Sequence, residues 1–187
     1  MAGTENKVKF GLNNVYYAPL TSDSAGTAVY SSPVRIPGAV NLTLDPEGEQ
    51  TDFYADDMDY YSSAANDGYS GSLEVARLPD SFRKDVLKET EDSAAGVLIE
   101  NVEAEPAQFA LLFEFSGDKQ KTRHVLYKCS ATRPSVNGAT ITNSKEPTTE
   151  TLNIKASPLS NGNVKAKTTS ADGTAYTGWF EAVYQKA

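Results

Sequence analysis

Eight carboxylates and four aromatic rings crowd one stretch of the chain, DPEGEQTDFYADDMDYYSSAAND from Asp45 to Asp67, which contains no Lys or Arg. Dense oxygen ligands invite a calcium reading for Asp56, Asp57 and Asp59. An EF-hand loop, however, places acids at alternate positions with Gly at the sixth, and that spacing is absent. A charge run is ordinarily a solvated loop. A purely solvating loop has no use for rings that gain free energy from contact. Acid and aromatic together point to a binding surface. Its candidate residues are Asp45, Glu47, Glu49, Asp52, Phe53, Tyr54, Asp56, Asp57, Asp59, Tyr60 and Tyr61.

Other residue types capable of chemistry are scattered. The one histidine, His124, lies inside a strand pattern beside Arg123, and nothing local supplies the carboxylate and nucleophile of a triad. His124 and Cys129 together fall short of a four-ligand zinc site. Cys129, the only cysteine, reads as a small buried hydrophobe in a strand rather than a nucleophile. No spacing among the 25 acids singles out a hydrolytic pair. Gly68-Tyr69-Ser70-Gly71 is too short for a phosphate cradle and reads as a bend leading into a strand. Trp179 reads as a packing residue rather than a sugar platform. We therefore expect no enzyme, no cofactor and no metal.

Composition sharpens the same contrast. The net charge is −8, and the eight carboxylates of the Asp45 to Asp67 segment equal it, because the other 17 acids are matched by 17 Lys and Arg. Acidity belongs to one element of an otherwise balanced surface. Net acidity argues against an electrostatic nucleic-acid binder, whose affinity comes chiefly from Lys and Arg. A chain of 187 residues can bury roughly 70% of its unfolded surface as a single domain. The longest apolar run, Phe109 to Phe115, contains Glu114 and is far short of the roughly 20 residues of a membrane helix. MAGTENKVKF lacks the apolar core of a secretory signal, so we expect synthesis in a reducing cytoplasm.

The elements that must position the acidic segment are mainly strands. Val40, Leu42 and Leu44 alternate with Asn41 and Thr43, and Leu152, Ile154 and Ala156 alternate with Asn153 and Lys155, the period of half-buried strands. Phe109, Leu111, Phe113 and Phe115 share one face of a strand whose other face is also mostly apolar, which makes that strand central. After a turn at Ser116-Gly117-Asp118-Lys119, Val125, Tyr127 and Cys129 alternate with Leu126 and Lys128 to complete a hairpin. Further strands are expected at residues 8–17, 69–77, 97–101 and 163–168, with a tight turn at Asn161-Gly162. Leu78-Pro79-Asp80-Ser81 opens a helix, capped by Asp80 or Ser81, that buries Phe82, Val86 and Leu87 and ends near Thr90. A second short helix is expected around residues 179–184. Residues 21–32 read as a polar loop or arm. About eight strands and one flanking helix predict two packed β-sheets, a sandwich or flattened barrel. The acidic segment then becomes an inter-strand loop of about 23 residues, beyond the 12 to 15 at which loops are usually functional.

Read in order, several stretches resemble one family: KVKFGLNNVYYAP (residues 7–19), IPGAVNLTLDPEG (36–48), FYAD (53–56), GYSG with Leu73 and Glu74 (68–74), LPDSFRKDVL (78–87), FALLFEF (109–115), TRHVLYKCSATRP (122–134) and residues 146–157. That family is the major tail proteins, or tail tube proteins, of long-tailed phages with flexible, non-contractile tails found with Gram-positive bacteria. The resemblance implies a structural subunit with two packed sheets and a flanking helix. Six copies would close into a ring, and rings would stack into a tube through which DNA and the tape measure protein pass. Tail-end proteins are further implied partners, and the implied location is the virion tail after assembly in the host cytoplasm. A long loop between two early strands, with terminal arms, would reach neighbouring subunits or rings, and the segment from Asp45 to Asp67 falls in its place. A wall of like charge repels DNA within about 8 Å at physiological salt, so DNA would pass without specific binding. The rival reading is a carbohydrate-binding or adhesin β-sandwich, which predicts a glycan-binding monomer. A hydrolase lacks an organised site.

Overall fold

Apolar residues at every second position form strands in this chain, but bulges and several short polar strands give the fold its shape. The computed structural model describes residues 10–24, 26–117, 121–138, 140, 147–171 and 173–186. The elements run β1 (Leu12–Ser24), β2 (Thr27–Tyr30), β3 (Val34–Arg35), β4 (Ala39–Glu47), β5 (Gln50–Ala55), β6 (Met58–Ala64), β7 (Gly68–Val75), α1 (Asp80–Asp85), β8 (Thr90–Asp92), β9 (Val97–Ile99), β10 (Phe109–Phe115), β11 (Arg123–Ala131), β12 (Glu150–Ser157), β13 (Lys165–Lys167) and α2 (Thr174–Thr177). The protein is mainly β, as expected, though its strands are shorter and more numerous than eight. The start of the first expected strand at Val8 and the turn residues Asp118 and Lys119 lie outside the described residues.

One antiparallel sheet carries the order β2-β1-β10-β11-β12-β7-β4, with β3 added to β1 and β13 to β11. It curls over itself because β11 changes partner along its length: residues up to Leu126 pair with β13, and those from Lys128 pair with β12. The enclosed core takes Val15 and Tyr17 from β1, Leu73 and Val75 from β7, Phe109, Leu111 and Phe113 from β10, and Leu152, Ile154 and Ala156 from β12. Sheet faces sandwiched in this way account for the flattened, sandwich-like form.

Helix α1 closes this core. Phe82, Val86 and Leu87 are fully buried, and the Phe82 ring stands edge-on to Tyr17 and Phe109, at 5.0 and 5.4 Å. The expected side-chain cap is not made: Pro79 occupies the cap position. Proline's fixed φ suits a helix start and its missing N–H leaves no donor orphaned there. The helix ends at Asp85 rather than near Thr90, since Lys88 turns into the left-handed region at φ 61°, which ends right-handed helix.

β10 is central, as its two apolar faces predict. Ala110 and Leu112 point away from the enclosed core into a second cluster with Ala18, Val125, Tyr127, Leu159 and Trp179. That outer face is covered by the C-terminal segment. Trp179 is buried and its Nε1 donates to the His124 carbonyl at 3.3 Å, while Phe180 stacks on Tyr16 at 4.8 Å. The expected helix over 179–184 gives way to α2 a few residues earlier, followed by turns after Gly178.

Two alternation readings are corrected by bulges. Ala39 pairs with Val75 and Asn41 with Glu74, so Val40 is an extra residue and stands 54% exposed while Ala39 packs inward. On β11, Leu126 pairs with Leu111 but Cys129 with Phe109. Three residues therefore span two, and Cys129 crosses from the face of Val125 and Tyr127 into the enclosed core. A bulge inserts one residue and thereby reverses every later side chain. Burial pushes the Cys129 thiol up to about 12, which leaves almost no thiolate at neutral pH. A disulfide reagent is expected to label native protein at least about a hundredfold more slowly than denatured protein; equal rates in a spectrophotometric assay would show that the site opens freely.

Within residues 21–32, read as a loop, the end of β1 up to Ser24 pairs antiparallel with β2, Thr27–Tyr30, instead. Small polar residues hid the strands; they are held by long-range bonds. Tyr30 donates its hydroxyl to the Tyr127 carbonyl at 3.0 Å, and Lys128 Nζ donates to Asp23 at 2.8 Å. Hydrogen bonds from Lys128 and then Ser160 hold the Asp23 carboxyl down at about 2. The unfolded value is about 3.9, so the stabilisation is complete above that pH and is lost as pH falls through the folded value. Near the surface, screening keeps it to about 1 kcal/mol, or about 2–4 °C in a domain of this size. Asp23→Asn is expected to melt lower by that amount at pH 7, with the gap closing between pH 4 and pH 2 in a series of thermal melts.

Candidate functional site

The acidic segment is a β-ribbon, not a loop. β4 and β7 pair out to Glu47 and Gly68. The N–H groups of Asp67 and Ala65 then donate to the carbonyls of Glu47 and Glu49, each at 2.9 Å, and β5 and β6 take over from Gln50 opposite Ala64. One ladder thus runs from the body of the protein to a tip at Asp56-Asp57. Both tip residues have positive φ, 53° and 59°, with Ala55 opposite Met58. This is the two-residue primed turn whose twist matches antiparallel strands. Aspartate tolerates the left-handed region better than most residues, but the usual Asn-Gly or Asp-Gly signal is missing, which is why the sequence read as loop.

Gly71 makes the root of the ribbon possible. A Cβ there would sit 1.9 Å from the Thr43 carbonyl oxygen of β4, so only glycine admits the close approach of these two strands. The Gly68-to-Gly71 stretch is accordingly part of β7 itself.

Between Gln50 and Ala64 every residue except Ala55 is exposed. Phe53, Tyr54, Met58, Tyr60 and Tyr61 show 59, 67, 60, 68 and 62% of their surface. Phe53 lies opposite Tyr61, and Asp52 opposite Ser62; neighbouring pairs point to opposite faces. One face therefore carries a ring pair. The other carries a polar network in which Ser62 donates to Asp52 at 2.6 Å and the Gln50 amide donates to both at 3.0 Å. The bonds from Ser62, then Gln50, lower the Asp52 carboxyl below its ordinary value. A bulge at Tyr60, between Asp59 opposite Tyr54 and Tyr61 opposite Phe53, twists the ribbon toward its tip.

The candidate residues divide into two groups. Asp45 and Glu47 belong to β4 on the body. Lys155 of β12 donates to Glu47 at 2.8 Å, and that bond, then one from Ser70, lowers the Glu47 carboxyl. Glu49 stands at the root, and Asp52, Phe53, Tyr54, Asp56, Asp57, Asp59, Tyr60 and Tyr61 are gathered on the ribbon. Met58 joins them, and sequence reasoning missed it: acids on both sides hid its place in a strand alternation.

The remaining side chains are committed to the fold. His124 stacks flat on Phe113 at 5.1 Å and edge-on to Phe115 at 5.5 Å. Trp179 is 2% exposed and cannot serve as a sugar platform. Arg123 pairs with Glu114 at 3.2 Å, Lys128 with Asp23, and Lys165 lies over the Tyr69 ring at 4.2 Å. Among the described residues, no three His, Cys, Asp or Glu are grouped to hold a metal ion. Among the described residues, β2 ends the strand order of the long sheet at one end and β4, which contains Pro46, at the other. An uncovered edge strand is a template for a further strand.

No protein-family model matches the chain, and no curated protein matches it. Among solved structures the chain is similar to the anti-feeding prophage cap, the tube-terminating cap of that particle, determined by cryo-electron microscopy. The two are 9% identical, with 91% of this chain and 100% of the cap covered, at a TM-score of 0.46.

Proposed function

We propose that the chain is a structural subunit of a phage tail tube, a protein that works by assembling with copies of itself and has no catalytic role. The observation that supports this most is the ribbon: four rings and a methionine stand out from the body on a twisted two-stranded arm. A two-stranded ribbon is marginal on its own, and burying each large apolar side chain against a neighbour contributes roughly 1.5–3 kcal/mol. The sequence resemblance adds the form of the assembly, hexameric rings stacked through such arms. Head-to-tail contacts close a ring when the rotation fits, and contacts between ring faces then extend a filament. Tape measure and tail-end proteins are the further partners of this reading.

DNA passage follows from charge. The net charge is −8, and Arg123, Lys128 and Lys155 are paired with carboxylates; both weaken the release of counterions from phosphate on which electrostatic DNA binding depends. Concentrated wild-type protein is expected to show rings or tubes by negative-stain electron microscopy and to form no complex with duplex DNA at about 50 mM salt, where phosphate binding is strong. Isolated particles at every concentration, or a salt-sensitive shift on a gel, would overturn the reading.

A further inference from the structure

We infer that Asn137 is a site of spontaneous modification, converted through a cyclic imide to aspartate and isoaspartate, and that the fold directs this chemistry to Asn137 by locking its counterpart, Asn161. The inference is independent of the assembly reading above. Only two asparagines in the chain precede glycine, Asn137 before Gly138 and Asn161 before Gly162. At such a step the glycine nitrogen attacks the asparagine side-chain carbonyl, since glycine has no Cβ to hinder the approach. The new N–Cγ bond closes a five-membered imide, and the side-chain amide leaves as ammonia with the glycine's proton. Water then opens the imide at either carbonyl. One water is consumed and one ammonia released, with no oxidant or reductant.

At Asn161 both reacting groups are tied. The attacking group, the Gly162 N–H, donates to the Leu159 carbonyl at 2.8 Å, and the Leu159 N–H donates to the Asn163 carbonyl at 2.9 Å to close the turn. The leaving amide is held as well. Asn161 Nδ2 donates to the Gly26 carbonyl at 3.2 Å, and its Oδ1 accepts from the Asn163 N–H at 3.0 Å. Gly162 stands at φ 81°, a left-handed conformation that belongs to this closed turn. These bonds must break before nitrogen and carbonyl carbon can meet.

Asn137 is held far more lightly. Its one side-chain bond among the described residues runs from Nδ2 to the Ser135 hydroxyl at 3.1 Å, exposed and two residues away. Among the described residues no bond holds the Gly138 N–H. Residues 132–138 belong to no strand or helix, and 135–138 are all exposed. A Cβ built on Gly138 would meet nothing within 4 Å, so no neighbour restrains the step. Conversion puts a carboxylate where a neutral amide stood, adding one negative charge to the net −8. Both core clusters are left untouched.

The test ages the full-length protein at mildly alkaline pH, native and in urea, and follows both sites by peptide mass spectrometry with fragmentation that distinguishes isoaspartate. In native protein Asn137 is expected to convert at least about tenfold faster than Asn161, because several bonds must open together before Asn161 can react. In urea the two rates should converge. Isoaspartate marks passage through the imide. Gly138→Ala, which the open space and ordinary φ at this position admit, is expected to melt as wild type does and to suppress conversion at Asn137. Equal native rates at the two sites, including no reaction at either, or a difference that persists in urea, overturns selection by the fold. Aspartate without isoaspartate, or undiminished conversion in folded Gly138→Ala, overturns the imide route.

Discussion

Replacing Phe53 and Tyr54 together with serine is expected to abolish tube formation while leaving a soluble protein that melts cooperatively within about 1 °C of wild type. Both rings stand on the ribbon, at 59 and 67% exposure, and neither belongs to either core cluster. Their removal therefore takes little from the isolated subunit. In an assembly that covers them, the loss would be roughly 1.5–3 kcal/mol for each ring, repeated in every copy of every ring. Replacing Phe113 or Leu152, which are 3 and 0% exposed, should do the reverse and cost about 2–5 kcal/mol of fold stability. Paired thermal melts and electron micrographs separate the two classes. Normal tubes from the double-serine protein, or its unfolding alongside the core variants, would remove the ribbon from the assembly contact.

Arg123→Ala is expected to destabilise the subunit by about 3–5 kcal/mol, the range found when one partner of a buried ion pair is removed. Glu114 is the one buried charged side chain among the described residues. Arg123 Nε reaches its carboxylate at 3.2 Å and Asn14 donates to it at 2.6 Å. The same guanidinium donates to the Tyr176 carbonyl and lies over the Tyr176 and Phe180 rings. One side chain thus neutralises a buried acid and clamps the C-terminal cover on the outer sheet face. Urea unfolding measures the cost, and Glu114→Gln in the Arg123→Ala background is expected to recover part of it by removing the orphaned charge. Trp179 is the only tryptophan, so native-state emission should move to the red in Arg123→Ala as the cover loosens. A loss below about 1 kcal/mol with unshifted emission would show that the clamp contributes nothing.

Much of the fold was legible because alternation is a local property. The strand at Leu152, Ile154 and Ala156, the doubly covered strand from Phe109 to Phe115 and the helical stripe of Phe82, Val86 and Leu87 could each be read from a single window of sequence, and each is buried as read. The binding candidates were legible for the same reason, since a run of acids and rings without a cation is visible without knowing its shape. What could not be read was how that run is folded. Asp56-Asp57 carries no glycine, and the ribbon depends on a ladder begun by β4 and β7, which the sequence does not announce.

The sequence by itself determined a mainly β protein, its principal buried faces, and the confinement of its net charge to one aromatic-bearing element. Tertiary structure decided the rest. It turned a supposed loop into a ribbon, paired the end of β1 with β2 where a polar loop was expected and held them through Tyr127 and Lys128, and moved Val40 outward and Cys129 inward through bulges. It also laid the C-terminal segment over the outer face through Arg123 and Trp179. The physical reason is common to all four. Which side chain is buried follows from neighbours two residues away, whereas pairing, register and cover are fixed by hydrogen bonds and charges between residues far apart in the chain, where a single inserted residue reverses a face.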